Sequence, residues 1–234
     1  MKVSKTKNGL RFSQHGVVIS ELRLTPSPTH SVFDILAASI AVLHPNGPIG
    51  VLGFAGGGMI APLQALRVTS PIHTCDLDRE SYRLFRQHAP AWKSQVRWNH
   101  TEAVRWLQHR PNRQFALLMD DLSVSEGSDI VKPAVSWHVL PSLMRKKLKP
   151  DGFAVFNLMP PSSHPWMRDI ERVAAHFDVA LLIVLDDFLN RVLIAGRSLP
   201  SAREMSRRMR MALDAIGSRQ AGKMSIRTLR TPSQ

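Results

Sequence analysis

The sequence has few of the features that mark disulfide-bonded, secreted or membrane-spanning proteins. It has 234 residues and a single cysteine, Cys75, so no disulfide can form within the chain. Its longest unbroken apolar run covers residues 179–185, far below the ~20 residues that a membrane span needs. The first residues are positively charged, but no apolar run follows them, which predicts that there is no signal peptide. We therefore expect a cytoplasmic protein that does not associate with membranes.

Metal-binding patterns are also scarce. The ten histidines are scattered, with no pair spaced four residues apart and no cysteine at ligand spacing, so no metal site is predicted. Apolar residues make up 44 % of the chain and charged residues 21 %, as in ordinary globular proteins. The length is sufficient for one large α/β domain with small additions.

The charge is strongly positive and unevenly distributed. The net charge is +13, and residues 191–234 contain ten lysines and arginines but only two acidic residues. Such a tail is suited to nucleic acid, acidic lipid or an acidic partner, or it simply remains solvated. The tail lacks the aromatic side chains that stack on bases, so the sequence shows no means of reading them. Binding to a partner and simple solvation both stay open. Its polar composition predicts that residues 218–234 are loose.

Short apolar runs alternate with segments of helical periodicity from about residue 48 onward. The runs cover residues 49–54, 72–75, 96–99, 115–120, 153–158, 179–185 and 192–195. This alternation predicts parallel strands that are buried on both faces by crossover helices. Because only a few residues separate the last two runs, these two strands should form an antiparallel hairpin. The predicted fold is a Rossmann-like α/β fold of the class I methyltransferase type, with a seven-stranded, mostly parallel sheet and a C-terminal antiparallel hairpin strand.

The same patterns divide the chain into three parts. Residues 1–30 should contain a small β-hairpin, because apolar alternation at residues 10–13 and 17–24 surrounds a turn. Residues 31–200 should form the Rossmann-like domain, and they begin with a helix at residues 31–43. Residues 201–234 should form a basic helix, capped by Ser201, and the tail.

A glycine cluster at residues 53–58 follows the first predicted strand of the sheet and opens a helix. Glycines allow the backbone to approach a ligand, and a helix N-terminus offers free N–H groups. The next strand ends at Asp76, at the distance where an acidic residue accepts hydrogen bonds from both ribose hydroxyls of a nucleotide-like cofactor. Asp76 is alternatively the N-cap of the following helix, although Asp78 is better placed for that role.

The ends of the next two strands also carry acidic residues. Glu102 is placed to accept a hydrogen bond from an adenine amine while Ala103 leaves room for the ring, or it simply lies in the first turn of a helix capped by Thr101. Asp120 and Asp121 end the fourth strand, at the sheet edge where open α/β folds bind ligands. Strand alternation allows only one of them to face a pocket, and we expect it to be Asp121.

Together these segments resemble spermidine synthases and their spermidine synthase-like relatives among class I S-adenosylmethionine-dependent transferases. The resemblance lies in residues 51–57, 75–78, 100–103, 115–121 and 148–152. It implies S-adenosylmethionine or decarboxylated S-adenosylmethionine as the cofactor. By this likeness the glycine loop contacts the methionine-derived part, Asp76 the ribose, and Glu102 with Ala103 the adenine. The loop contacts are Gly53, Ala55, Gly56 and Gly57, Leu77 is a further cofactor contact, and Asp121 is the catalytic residue.

Three departures from the family leave the activity open. Gly58 stands where aminopropyltransferases usually carry an acid inside the glycine loop to hold the amino group of the cofactor. Val124 stands where aminopropyltransferases usually carry a second acid, although Glu126 and Asp129 lie in the same loop. The family's N-terminal β domain is reduced here to the predicted hairpin. The sequence therefore predicts a transferase that moves a methyl or aminopropyl group to an unknown small acceptor such as an amine, with a homodimer as one assembly. The alternatives are a cofactor-binding module without turnover and a nucleic-acid-directed methyltransferase that uses the basic tail.

Overall fold

A computed structural model describes residues 2–161 and 165–229. The chain begins with a three-stranded antiparallel sheet of β1 (Lys2–Thr6), β2 (Gly9–Gln14) and β3 (Val17–Arg23). The predicted hairpin corresponds to β2 and β3, but the prediction of a lone hairpin is wrong because β1 pairs along β2. The missed signal was Asn8-Gly9, a dipeptide typical of tight hairpin turns.

The rest of the described chain contains ten more strands. They are β4 (Ile49–Leu52), β5 (Ile72–Asp76), β6 (Val96–His100), β7 (Phe115–Asp120), β8 (Val124–Glu126), β9 (Asp129–Val131), β10 (Leu148–Leu158), β11 (Val179–Leu185), β12 (Arg191–Gly196) and β13 (Met224–Leu229). Eight of them form one sheet in the order β13-β11-β12-β10-β7-β4-β5-β6, and β8 and β9 pair separately as a hairpin. The five strands from β10 to β6 are parallel. The predicted α/β class and mostly parallel sheet are confirmed.

The C-terminal edge of the sheet differs in part from the prediction. Strands β11 and β12 form the expected antiparallel hairpin. However, β13 adds an eighth strand antiparallel to β11, so the prediction of a loose tail is wrong for residues 218–229. This segment is polar overall, but two of its apolar side chains, Met224 and Leu229, are buried and hold it in place. Residues 230–234 of the predicted tail lie outside the described residues.

Eight helices cover the two faces of the sheet within the described residues. They are α1 (Val32–Leu43), α2 (Ile60–Ala65), α3 (Arg79–His88), α4 (Ala103–Gln108), α5 (Ala134–His138), α6 (Leu140–Lys147), α7 (Met167–Ala174) and α8 (Ala202–Ala215). The predicted caps Asp78 and Ser201 are confirmed. The helical periodicity of residues 134–148 predicts one helix, but the structure has two, α5 and α6, because Pro141 cannot supply the N–H that a continuous helix needs there. None of the helices described is both long and apolar enough to cross a membrane.

The central strands are buried on both faces, which explains their continuous apolar sequences. Val51 of β4 belongs to a cluster with α1, α2, α8 and the N-terminal sheet. The next residue, Leu52, belongs to a second cluster with α4, α6 and α7 on the other face. Helix layers on both faces leave the carboxyl ends of the parallel strands as the place for a ligand.

Buried polar bonds attach the C-terminal segment to the start of α1. Asp34 is fully buried and accepts hydrogen bonds from the backbone N–H of Thr29 at 2.7 Å and of His30 at 2.8 Å. The hydroxyl of Ser218 donates to the same carboxylate at 2.6 Å. Because buried carboxylates are costly without partners, these bonds fix residues 29–34 and the C-terminal segment together.

Candidate functional site

The glycine loop lies where the strand order reverses, between β4 and its neighbours β5 and β7. Asp76, at the end of β5, holds this loop. Its Oδ2 accepts hydrogen bonds from the backbone N–H groups of Phe54 at 2.6 Å and Ala55 at 3.0 Å. Its Oδ1 accepts one from the N–H of Asp78 at 2.9 Å. The structure thus gives Asp76 a role that the sequence did not suggest, which is to anchor the glycine loop to the neighbouring strand.

These bonds limit what else Asp76 can accept. A carboxylate has about four acceptor positions, and the backbone already occupies two on Oδ2 and one on Oδ1. About one position on Oδ1 remains, enough for one ribose hydroxyl rather than the two that the sequence suggested. The alternative N-cap role belongs to Asp78, which accepts from the first turn of α3.

The loop glycines are required largely by the protein's own packing. Gly53 and Gly56 have φ angles of +87° and +75°, which disfavour other residues. A Cβ at Gly53 would lie 2.7 Å from the backbone that follows β7, and one at Gly56 would lie 2.7 Å from the ring of Phe12. Gly57 is similarly enclosed by aromatic rings. Ala55, in contrast, lines an open cavity, so it is the loop residue with room for a ligand beside it.

The residues predicted to contact adenine follow β6, which is two strands away from β4 in the sheet. Glu102 is itself the N-cap of α4, and its two oxygens accept from Val104 N at 2.8 Å and Arg105 N at 2.9 Å. The expectation that Thr101 caps this helix is therefore wrong. Ala103 is buried, whereas Leu77 has 64 % of its surface exposed. An adenine contact at Glu102 stays a prediction, and it would have to use acceptor positions that the cap leaves free.

A cavity of about 420 Å³ opens beside the glycine loop. Its walls come from β3, the start of α1, the β8–β9 hairpin, the end of β10 and the β11–β12 turn. Much of the lining is apolar, and it includes Ile19, Phe33, Leu122, Ile130, Met159 and Phe188. No lysine, arginine or histidine is found among the described residues that line it. In a protein of net charge +13, this lining favours a neutral or cationic occupant with an apolar part.

Asp121 lines this cavity and is held in place by two asparagines. The side-chain amide of Asn157 donates to Asp121 Oδ1 at 2.7 Å, and Asn190 donates to Asn157 Oδ1 at 2.9 Å. Burial raises the pKa of Asp121 to about 6, although the Asn157 hydrogen bond and the charge of Lys132 act in the opposite direction. The carboxyl group is therefore fixed in orientation and titrates close to neutral pH.

The neighbouring Asp120 has a structural partner instead. It forms a buried ion pair with Lys132, whose Nζ lies 2.8 Å from Asp120 Oδ1. The two side chains are 0 % and 1 % exposed. The ammonium group also donates to the backbone carbonyls of Asp120 at 3.2 Å and Leu122 at 3.1 Å. Lys132 thus joins the chain just after the β8–β9 hairpin to residues 120–122, just before it. Nothing in the sequence marked this lysine, because a basic residue after a short hairpin is usually solvated.

The β8–β9 hairpin covers the cavity from one side. Val124, at the position where the sequence resemblance leads to the expectation of a second acid, pairs with Val131 and is 45 % exposed; it does not line the cavity. Asp129 does line it, whereas Glu126 is exposed on the hairpin. Ser125 Oγ contacts Nε2 of His15 at the β2–β3 turn, so the β8–β9 and β2–β3 hairpins touch each other. Asp129 is therefore a further carboxylate that reaches this space, besides Asp121 and Glu21.

The described residues contain no cluster of three or more histidine, cysteine, aspartate or glutamate side chains arranged to hold a metal ion. The acidic residues discussed above are instead held by backbone N–H groups, asparagine or lysine. Their arrangement suits hydrogen bonding and proton transfer.

No protein-family model matches the chain, and no characterised protein is similar enough in sequence to be recognised as a relative. Solved structures do resemble it. A probable spermidine synthase from Corynebacterium glutamicum superposes with a TM-score of 0.73 at 16 % identity, covering 98 % of this chain and 87 % of that one. A spermidine synthase in complex with the transition state analogue AdoDATO gives 0.64 at 12 % identity, covering 86 % and 74 %. Human methyltransferase-like protein 13 in complex with SAH gives 0.60 at 14 % identity, covering 78 % and 91 %. The chain has the Rossmann-like, spermidine synthase-like fold of class I S-adenosylmethionine-dependent transferases.

Proposed function

We propose that this protein is a transferase that binds S-adenosylmethionine or its decarboxylated form and moves a methyl or aminopropyl group to a small acceptor in the cavity. The observation that carries the proposal is that one cavity borders both Ala55 of the glycine loop and the oriented carboxyl of Asp121. A cofactor on the loop and an acceptor near Asp121 would share this space. Their proximity and alignment would supply much of the rate enhancement.

The residues at the carboxyl ends of β4 and β5 fit such a cofactor. Asp76 retains about one acceptor position for a ribose hydroxyl. Leu77 is an exposed large apolar residue beside it, which an adenine ring would cover. Gly53, Gly56 and Gly57 shape the loop, while Ala55 would lie against the methionine-derived part. The sulfonium of the cofactor, when bound, supplies both the carbon that is transferred and the leaving group.

Two solved structures of this fold contain related ligands. One spermidine synthase is in complex with AdoDATO, and the human methyltransferase-like protein 13 is in complex with SAH. The similarity in fold supports the same class of ligand for this chain. The acceptor must be inferred from the cavity itself, whose acidic and apolar lining suits an amine with an apolar part.

The environment of Asp121 supports the role of a general base. A pKa of about 6 leaves the carboxyl largely ionised at neutral pH and still basic enough to take a proton from the acceptor. Asn157 occupies Oδ1, while Oδ2 has no hydrogen-bond partner among residues 2–161 and 165–229. We therefore infer that Oδ2 of Asp121 takes the proton from the acceptor, while Asn157 holds the carboxyl group in its orientation.

Calorimetric titration with S-adenosylmethionine, decarboxylated S-adenosylmethionine and methylthioadenosine tests the cofactor. We expect saturable binding of at least one of them. Preference for the decarboxylated form would identify aminopropyl transfer, and preference for S-adenosylmethionine would identify methyl transfer. Failure of all three to bind the folded protein would contradict the proposal.

We expect Asp121→Asn to lower the transfer rate about 10²–10⁴-fold, the usual contribution of a general base. In the unmodified protein the rate should rise with pH through about 6, because the base form of Asp121 appears there. Initial rates across pH 4.5–8 with a panel of amines measure both effects. Glu126→Gln is the control, since it removes an exposed carboxylate from the hairpin outside the cavity lining.

The same variant has a readout that does not depend on turnover. Because folding raises the pKa of Asp121, this group favours the folded state most at pH values below the unfolded pKa, and the contribution is lost as pH rises through about 6. Asparagine does not titrate, so Asp121→Asn should gain stability relative to the unmodified protein as pH rises from 4 to 7. Thermal melts of both proteins at each pH give the difference in stability. A difference that does not change with pH would contradict a raised pKa of Asp121 in the folded protein.

Asp76→Ala should weaken cofactor binding at least about tenfold, through loss of a charge-assisted hydrogen bond and release of the glycine loop. Asp78→Ala is the matched control. It removes a neighbouring carboxylate that caps α3, costs about 1 kcal/mol of stability, and should leave cofactor affinity within a few-fold. Calorimetry on both variants compares them, and equal affinities would exclude Asp76 from the cofactor site.

The second candidate is a module that binds the cofactor without turnover. It is favoured by one observation, the exposed Val124 in place of the family's second acid. In that case the cofactor would bind normally, and no acceptor among amines, acids or nucleic acids would be modified. Asp121→Asn would then bind the cofactor as the unmodified protein does, with no rate to lose.

A further inference from the structure

A second candidate surface lies at the β6 edge of the main sheet, away from the edge formed by β13. A groove of about 580 Å³ runs between α3, the 3₁₀ turn Pro90–Gln95 and β6, which is the outermost strand on this side. Its described lining includes four cationic side chains and no acidic one: Arg79, Arg83, Arg86 and Lys93. This is the reverse of the cavity beside Asp121, whose described lining has acids and no cations.

Two of the cations are free to bind an external anion. Arg83 is engaged by Glu80 at 2.6 Å, so it is largely neutralised. Arg86 and Lys93 are exposed and have no ion-pair partner within residues 2–161 and 165–229. Free cations on one surface raise the local concentration of polyanions and bind phosphates by releasing counterions.

The exposed imidazole ring of His100 is held in a fixed orientation at the end of β6, beside these cations. The Nδ1 atom of His100 lies 2.9 Å from Nη2 of Arg79, and its Nε2 lies 3.1 Å from the carbonyl oxygen of Leu77. The imidazole is stacked on Trp98, with ring centroids 5.8 Å apart, and Trp98 is stacked in turn on Tyr82 at 4.5 Å. His100 therefore ends a column of rings, and it is fixed at both ring nitrogens while remaining exposed. Histidine rings in such positions stack on unpaired bases.

We propose that this groove binds single-stranded nucleic acid, with phosphates at Arg86 and Lys93 and a base stacked on His100. Single strands are favoured because a duplex keeps its base faces stacked internally, whereas an unpaired base can cover an aromatic ring. The nucleic acid is a partner rather than the acceptor, because β5 and β4 separate β6 from β7, the strand that carries Asp121. The proposal does not depend on the transferase activity.

Fluorescence anisotropy of a labelled 12-nucleotide oligo(dT) and oligo(U), titrated with the full chain at several salt concentrations, tests the groove. We compare Arg86→Ala/Lys93→Ala with Arg203→Ala/Lys146→Ala, which removes one exposed arginine and one exposed lysine elsewhere. The groove variant should bind more weakly, and its slope of log affinity against log salt should be shallower by about 1.4, since each phosphate contact contributes about 0.7. The control variant should keep the original slope.

The aromatic contribution is tested separately. His100→Ala should weaken binding about tenfold, and His100→Phe should restore most of it because a stacking face remains. Equal losses in the groove and control variants would show that binding follows net charge and would overturn the proposal. Absence of binding, equal affinity for a duplex of the same length, or an unchanged affinity in His100→Ala would also overturn it. Stronger binding to anionic vesicles or polyglutamate than to the oligonucleotides would assign the groove to another partner.

Discussion

Removal of residues 218–234 is expected to lower the free energy of unfolding by about 5 kcal/mol or more, enough to unfold a domain of ordinary stability. The deletion takes away β13 and exposes the edge of β11. It also removes the buried side chains of Met224 and Leu229, each worth roughly 1.5–3 kcal/mol. In addition, the fully buried Asp34 loses the hydroxyl of Ser218. Urea denaturation followed by circular dichroism measures the change.

Point variants keep this prediction testable if the truncated chain does not fold. Ser218→Ala should cost about 1–3 kcal/mol because it leaves part of a buried carboxylate unsatisfied. Ser225→Ala, at an exposed position of β13, should change stability by less than about 0.5 kcal/mol. A truncated chain with the same urea midpoint as the full one would show that the segment is the loose tail that its composition suggests.

Lys132→Met is expected to destabilise the protein by about 3–5 kcal/mol, the usual cost of leaving one member of a buried ion pair without its partner. The remaining Asp120 carboxylate would be fully buried with no cation. Asp120→Asn/Lys132→Met should recover much of this loss, because neither charge then needs compensation. Lys146→Met, at an exposed position of α6, should be close to neutral.

The effect of Lys132→Met should also reach the cavity. Lys132 ties both ends of residues 121–132 together, so its loss should make the β8–β9 hairpin more accessible to protease. It also removes a positive charge that lowers the pKa of Asp121. The pKa should therefore rise, and the increase of the transfer rate with pH should occur at a higher pH. An intact hairpin and an unchanged pH profile would mean that the pair is structural only.

The sequence predicted the central sheet well because its signals are local. Runs of apolar residues, separated by capped helices such as the one that begins after Asp78, specify strands and crossovers within a few tens of residues. Strands β1 and β13 are hard to predict because none of the side chains of β1 and only two of those of β13 are buried, so polar composition dominates the pattern. The place of β13 depends on pairing with β11, a strand far earlier in the sequence, whereas β1 pairs with β2 through the tight turn at Asn8-Gly9.

The candidate site was predictable in position but not in detail. The acidic residues at strand ends marked the right edge of the sheet, and Asp121 lines the cavity found there. The bonding of each carboxylate was not predictable, because it depends on backbone N–H groups and on partners distant in sequence. Asp76 holds the loop, Glu102 caps a helix, and Asp120 has a lysine that a hairpin brings back to it.

The bond between Asp34 and Ser218 also constrains the order of folding. The two residues are 184 positions apart, and contacts of such separation form late because closing the intervening chain costs entropy. A growing chain that has reached β12 can already assemble the parallel strands, yet α1 still contains a carboxylate without its full set of donors. The nascent protein should therefore remain only partly ordered around α1 and the candidate site until Ser218 emerges. That interval is when chaperones and proteases would have access to the hydrophobic face of α1.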